Sequence, residues 1–346
     1  MWRPRKKKMK KNYSIIILFT FWGSSLYSQN KNKNPISKDT LQTQTTSSFS
    51  NMVATETIKF GLYQPEWKNE NQSLTTYNAN GDKVHTIEKI FHLGKWINNR
   101  QTNWDYNSAG QLMVERYEIA AGSGWENATK SIFTYNSKGK LISQLNKLEY
   151  ERNKWKIEDS TYFEYDTTVN SVTEINLAWI DKKYVLFSKC SKILDLNENV
   201  LTELQQEVEN GVLSIIRQFI YEYDKEKIIS ETFQLSLKGV LENQSQDLFS
   251  YDSNGKVITL MKKEWNGDKW VDIQKISYEY DEKGNQLKEQ IFLVNESSFI
   301  NKSVITRTYD EKNRLIEEIC LNWNQTKWQN FCKKEYSYNT NSKVSK

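Results

Sequence analysis

Residues 265–287 read WNGDKWVDIQKISYEYDEKGNQL, and this stretch contains one complete predicted strand with the turn at each of its ends. Within it, Trp270, Tyr278 and Tyr280 are separated by even numbers of residues. An extended chain therefore places the three rings on one face, while the polar residues between them point to the other. The pattern is typical of a half-buried β-strand with one solvated side.

The residues on either side of the predicted strand 270–280 are typical of turns. Asp281 directly follows Tyr280, and Gly284 stands four residues after that tyrosine. An Asp side chain can accept hydrogen bonds from nearby backbone amides, and a glycine adopts positive φ without strain, so the chain is expected to reverse here. At the other end, the rings of Trp265 and Trp270 lie five apart, which predicts that they face each other across a hairpin loop.

The same unit recurs through most of the chain. A Tyr-Asp/Asn-x-x-Gly motif or a weaker copy of it forms ten anchors whose spacing is 28 to 30 residues. A large, mostly aromatic residue stands ten positions before every anchor. The anchors are Tyr77, Tyr106, Tyr135, Tyr165, Leu194, Tyr223, Tyr251, Tyr280, Tyr309 and Tyr338.

This period predicts an all-β fold of about ten two-stranded, 29-residue repeats, joined into an antiparallel meander. An open or superhelical sheet is the preferred form, because odd and even units do not alternate as the two halves of a propeller blade would. A β-propeller and a closed β-barrel remain the alternatives.

The chain divides into three parts in this interpretation. Residues 1–28 carry seven cations followed by a short apolar run, as in a secretory signal peptide. Residues 29–57 are predicted to be a flexible polar linker, and residues 58–346 form the repeat array. Removal of the seven cations takes the net charge from +5 to −2, which excludes a nucleic-acid partner on charge grounds. No membrane span is expected in the exported chain.

The repeat resembles a known family. The Tyr251-Asp-Ser-Asn-Gly255 and Tyr280-Asp-Glu-Lys-Gly284 motifs resemble the YD repeats of RHS-type proteins. The Trp265-Asn-Gly-Asp-Lys-Trp270 loop is more similar to secreted tandem-repeat proteins of Gram-negative bacteria. The resemblance covers residues 67–346 and implies a β-rich repeat protein at or beyond the cell envelope.

Candidate site residues follow from the repeat itself. The sequence predicts no catalytic residue, cofactor or metal ligand, since its two histidines are seven apart in one strand and no metal or nucleotide motif is complete. The repeat aromatics are structural anchors or stack on a ligand. They are Trp96, Trp125, Trp155, Trp270, Trp328, Tyr106, Tyr135, Tyr165, Tyr251 and Tyr280.

A disulfide between Cys320 and Cys332 is possible but disfavoured. If Trp323 faces Trp328, a regular ladder places Cys332 on the ring-bearing face and Cys320 on the other, so a bond between them requires a β-bulge.

We therefore expect a secreted, non-enzymatic repeat protein that serves as a structural or adhesive surface at the cell envelope, in the periplasm, on the surface or outside the cell. The alternative is a glycan-binding module that uses exposed Trp and Tyr rings, and a hydrolase ranks third. The expected partners are a polysaccharide or a cell-surface protein.

Overall fold

The computed structural model describes residues 53–61, 66–151, 154–295 and 298–339. The predicted all-β class is confirmed, and no helix occurs in these ranges. The predicted signal peptide lies outside them, as does most of the predicted linker, although the first strand already begins at Val53. The strands are β1 (Val53–Phe60), β2 (Lys68–Tyr77), β3 (Lys83–His92), β4 (Lys95–Tyr106), β5 (Leu112–Ala121), β6 (Gly124–Tyr135), β7 (Leu141–Glu151), β8 (Lys154–Asp166), β9 (Ser171–Ile180), β10 (Lys183–Leu194), β11 (Val200–Glu209), β12 (Val212–Asp224), β13 (Lys227–Leu237), β14 (Val240–Tyr251), β15 (Val257–Trp265), β16 (Trp270–Tyr280), β17 (Gln286–Asn295), β18 (Ser298–Tyr309), β19 (Leu315–Trp323) and β20 (Trp328–Asn339).

The strands form one closed, antiparallel β-barrel. Each strand pairs with its neighbours in sequence, and β1 pairs with both β2 and β20. The preferred open or superhelical sheet is therefore wrong, because β1 occupies the edge that β20 would otherwise expose. The β-propeller alternative is also wrong, since continuous pairing leaves no separate four-stranded blades. The structure adopts the barrel alternative, and closure removes both free sheet edges.

The turns after the anchors have the predicted chemistry. In the turn after Tyr280, the amide of Asn285 donates to Asp281 Oδ1 at 2.7 Å, and the backbone amide of Gly284 donates to the Asp281 carbonyl at 2.9 Å. Gly284 has a φ of +85°, and Asn313 takes the equivalent place with a φ of +59°. These positive values explain why glycine or asparagine is found at this position.

Each even-numbered strand contains a β-bulge that the sequence does not reveal. In β16, Asp272 pairs with Lys263 and Gln274 pairs with Lys262, so Ile273 is an extra residue. The bulge always lies seven residues before the anchor, and it reverses the alternation of side chains. The bulged residues are Glu70, Asn99, Ala128, Glu158, Phe187, Ile216, Gln244, Ile273, Lys302 and Phe331.

The bulges divide the aromatic residues between two faces of the sheet. Tyr278 and Tyr280 share what we call the tyrosine face, whereas Trp270 lies before the bulge and points to the opposite, tryptophan face. The prediction that all three rings share one face is therefore wrong. The same division holds in every unit, because the bulge has the same place in each.

The buried apolar residues concentrate on the tyrosine face. Phe249 is paired with Leu260, and Leu260 is paired with Ile276, so these three side chains pack side by side across β14, β15 and β16. In another unit Phe133 is only 1% exposed. The anchors and their neighbours thus supply the packing that holds successive units together.

Candidate functional surface

The anchor tyrosines link each unit to the one before it. Tyr280 Oη donates to the Val257 carbonyl at 2.9 Å, and Val257 is the residue paired with the preceding anchor, Tyr251. The same bond recurs in eight units at 2.5–3.0 Å, and burial raises the pKa of several of these tyrosines to about 12, so they remain donors. The donors are Tyr106, Tyr135, Tyr165, Tyr223, Tyr251, Tyr280, Tyr309 and Tyr338.

Cations from the preceding turn cover several anchor rings. Lys256 Nζ lies 5.7 Å from the centre of the Tyr280 ring, and the Arg314 guanidinium lies 4.6 Å from that of Tyr338. Such contacts stabilise a folded unit by about 0.5–1 kcal/mol at partly exposed sites. Four anchor tyrosines therefore have both hydroxyl and ring engaged within the barrel, which favours the structural role for them over stacking on a ligand; they are Tyr165, Tyr251, Tyr280 and Tyr338.

The tryptophan face carries the second set of candidate aromatics. Trp96, Trp125, Trp155, Trp270 and Trp328 are all half-buried. Each lies at or next to the start of an even-numbered strand, at the end of the barrel opposite the anchor turns. The bulges separate these rings from the tyrosine-face core, so their fixed spacing from the tyrosine pairs is not a sign of shared packing.

Ring pairs form across the loops at this end. Trp265 and Trp270 are paired in register, with ring centres 5.1 Å apart and planes at 66°. Trp323 and Trp328 repeat the arrangement at 5.0 Å, which matches the preferred edge-to-face geometry of aromatic rings. Aromatic residues five apart in the sequence also flank three other loops. The pairs Phe91/Trp96 and Trp179/Tyr184 are present, whereas Glu149 rather than Tyr150 faces Trp155.

The end of β7 differs because the strand contains an additional bulge. Tyr150 has no partner in the ladder register and is 56% exposed. The side chain therefore leaves the row of ring pairs and projects into solvent.

A row of carboxylates lies on the tyrosine face and was missed in the sequence. Six units carry a glutamate eight or nine residues after the anchor, and each is paired with the residue two before that anchor. In one unit Trp104 Nε1 donates to Glu115 Oε1 at 3.1 Å. In another, Arg307 Nε lies 2.8 Å from Glu318 Oε2. The row consists of Glu115, Glu174, Glu203, Glu231, Glu289 and Glu318.

The pKa values of the glutamates in this row are shifted in opposite directions. Burial raises the pKa of Glu231, and the nearby Asp247 carboxylate raises it further. Burial alone would also raise the pKa of Glu203, but Lys192 at 3.1 Å and a hydrogen bond from Gln205 outweigh it and hold that pKa below its usual range. In this row, the charge of Glu203 is stabilised by its neighbours, whereas the charge of Glu231 is destabilised by burial. The row is therefore not one uniform anionic site.

The cysteines occupy two separate places on the tyrosine face. Cys320 of β19 is paired directly with Cys332 of β20, because the bulge at Phe331 shifts the register between them. The regular ladder on which the disulfide was disfavoured is therefore not present. Cys190 lies on β10 between Glu174 and Gln205.

The other polar features have local partners. His85 Nε2 lies 3.1 Å from Gln101 Oε1, and the Asp195 carboxylate accepts hydrogen bonds from the backbone amides of Asn197 and Asn199 within its own turn. Within the described ranges, no group of three or more His, Cys, Asp or Glu side chains is placed to hold a metal ion. No helix in the same ranges is long and apolar enough to cross a membrane.

Comparisons with known proteins give weak likenesses. No family model and no curated protein matches the chain. A DUF3836 family protein from Parabacteroides distasonis is 28% identical over 24% of this chain and 80% of that one, with a TM-score of 0.22. A porin-like protein from Bacteroides uniformis is 11% identical over 83% of this chain and 97% of that one, with a TM-score of 0.32. The TcdB2-TccC3 structure is 10% identical over 79% of this chain and 20% of its own, with a TM-score of 0.27.

Proposed function

We propose that this chain is an exported, non-enzymatic repeat protein of the YD/RHS-like type that provides a structural or adhesive surface at the cell envelope. The observation that carries the proposal is the division of the aromatic residues between two faces. The anchor tyrosines are engaged in bonds between units, whereas the ring pairs of the tryptophan face stand at one end of a closed barrel.

A closed barrel with aromatic pairs around one end suits contact with a large partner. Apolar side chains are exposed at these strand ends: Phe91 and Tyr184 of the ring pairs are 36% and 38% exposed, and Ile97, next to Trp96, is 45% exposed. Contacts repeated from unit to unit bind an extended ligand through many weak interactions in parallel. Adhesion to a polymer or to a cell-surface protein uses this kind of surface.

A glycan-binding module is the second candidate, and the position of the bulges favours it. Were the tryptophans on the tyrosine face, core packing alone would explain them. Because the bulge places Trp270 on the opposite face, half-buried and next to Trp265, its ring is available to stack on a sugar. A polysaccharide is thus the partner chemistry that best fits this end.

A glycan array probed with residues 29–346 tests the binding proposal. We expect retention on at least one polysaccharide, a loss of ten-fold or more in Trp270→Ala, and far-UV circular dichroism unchanged in that variant. Phe133→Ala is the matched control, because it removes a core ring from the other face and should cost about 3–5 kcal/mol of stability. Binding that survives Trp270→Ala, or is lost only together with the fold, contradicts the ligand-stacking role.

Fractionation of the producing cells tests export separately. We expect the chain in the envelope or the medium, with an amino terminus near Gln29 by mass spectrometry. A chain that retains residues 1–28 and stays in the cytoplasm contradicts the envelope role, whatever the array shows.

A further inference from the structure

The pairing of Cys320 with Cys332 brings two thiols together across adjacent strands. The two residues are direct partners in the β19–β20 ladder, immediately next to the bulge at Phe331. Directly paired residues in antiparallel strands have Cα atoms about 4.5–5.5 Å apart, and disulfides bridge Cα distances of about 4.4–6.8 Å. A disulfide can therefore form between these side chains without any movement of the backbone.

Both thiols point to the sheltered tyrosine face. Cys332 is 9% exposed and Cys320 is half-buried, so oxidant reaches the pair from the Cys320 side. The two side chains are hydrogen-bonded to each other, which holds the pKa of Cys332 below and that of Cys320 above its ordinary value. A second thiol beside the first is what allows a mixed disulfide to be resolved within the same chain.

We propose that Cys320 and Cys332 form a cross-strand disulfide that fixes β19 to β20 beside the seam where β1 closes the barrel. The oxidant is a disulfide of the glutathione or oxidoreductase class. One cysteine thiolate attacks a sulfur of the oxidant and releases its first thiol, and the second cysteine then attacks the mixed disulfide and releases the other. The pair loses two electrons and two protons, and one disulfide of the oxidant becomes two thiols.

The location gives the bond a role in closure. The seam between β20 and β1 is held by an ion pair of Lys59 with Glu335 at 2.5 Å and by the Tyr336 hydroxyl, which donates to Glu56 at 3.2 Å. These contacts require β20 to keep its register. A covalent link from β19 to β20, one strand away, fixes the register of β20 for its pairing with β1.

Oxidation of the purified full chain tests the proposal. The protein is incubated with oxidised glutathione, blocked with iodoacetamide and digested with trypsin, which cuts after Lys327 and so separates the two cysteines. We expect a linked pair of peptides containing Cys320 and Cys332, while Cys190 is recovered alkylated. Recovery of Cys320 and Cys332 as alkylated or glutathionylated residues without a linked pair overturns the proposal.

A shifted cysteine serves as the matched control for register. Without the bulge, Cys332 would face Ile319 instead of Cys320. Ile319→Cys combined with Cys320→Ser should therefore give no linked peptide, because Ile319 is paired with Lys333 and points to the other face. A link to position 319 that forms as readily as the native one refutes the bulged register.

The stability of the oxidised form gives a second readout. The disulfide would close the loop between Cys320 and Cys332. It should raise the melting temperature of the oxidised chain by about 5 °C relative to the reduced chain. Cys190→Ser should keep this difference, and Cys332→Ser should abolish it. An equal difference in Cys332→Ser would show that the bond is absent or does not hold the strands.

Discussion

Replacement of Tyr280 by Phe removes a single oxygen atom from the ladder of anchor tyrosines and leaves the ring in place. Tyr280 Oη donates at 2.9 Å to the carbonyl of Val257, a residue only 4% exposed, so water does not readily replace the lost donor. A neutral hydrogen bond contributes about 0.5–1.5 kcal/mol, and a buried acceptor left unpaired costs about 1–3 kcal/mol. We expect Tyr280→Phe to lower the free energy of unfolding by about 1–2 kcal/mol.

The ladder also predicts how several such losses combine. Tyr251 and Tyr309 make the same bond in the units on either side, at 2.5 and 3.0 Å. Anchors in successive units are two strands apart, or about 10 Å, a distance at which mutational effects usually add. The triple Tyr→Phe variant should therefore lose about 4 kcal/mol.

Equilibrium unfolding in urea, followed by far-UV circular dichroism, measures both variants. Tyr150→Phe is the control, because that tyrosine is 56% exposed and lies at a bulge near the end of β7, outside the ladder register. We expect the control to stay within about 0.5 kcal/mol of the parent chain. If Tyr280→Phe is no more destabilising than Tyr150→Phe, the hydroxyl ladder does not join the units, and packing of the rings must do so alone.

Two further predictions concern charge and the seam. At neutral pH Glu231→Gln should raise the melting temperature and Glu203→Gln should lower it. The raised pKa of Glu231 means that its charge costs stability above that pKa, whereas the lowered pKa of Glu203 means that its charge adds stability until the pH falls through it. Both differences should shrink in acid, and a Glu231→Gln variant that is less stable at neutral pH refutes the assignment. Gly61→Ala should destabilise the β1–β20 seam, because the new Cβ would lie 2.8 Å from Asn330 Cβ; an unchanged melting curve would mean that this approach relaxes freely.

The strands and turns were predictable because their causes are local. The aromatic pair that ends at Tyr280, the Asp281 side chain and the glycine at 284 act within a few residues of each other, and each has the predicted effect in the structure. The tyrosine-face carboxylates were equally readable, since a glutamate follows the anchor at nearly constant spacing. They were missed because charged residues on strands are usually solvated, so a recurring glutamate does not by itself indicate a half-buried row.

The bulges and the closure were not predictable in the same way. The bulged residues include Glu70, Phe187 and Lys302, which share no size, charge or polarity. A bulge of this kind adds one unpaired residue to a strand, and here no single residue type marks it. Closure depends on the pairing of β1 with β20, residues nearly the whole array apart, and no local pattern encodes that contact.

The inserted residue that lies seven positions before each anchor changes what the aromatic composition means for function. On a regular strand Trp270 and Tyr280 would share one core, and every large ring would be explained by packing. With Ile273 inserted between them, the tyrosine is engaged by the preceding unit while the tryptophan faces the other side, next to Trp265. Most of the buried apolar core lies on the tyrosine face, so the second row contributes to stability mainly through its cross-strand ring contacts. A row of paired, half-exposed rings outside this core is therefore the part of this barrel where a partner is most reasonably sought, and the comparison of Trp270→Ala with Phe133→Ala separates the two faces directly.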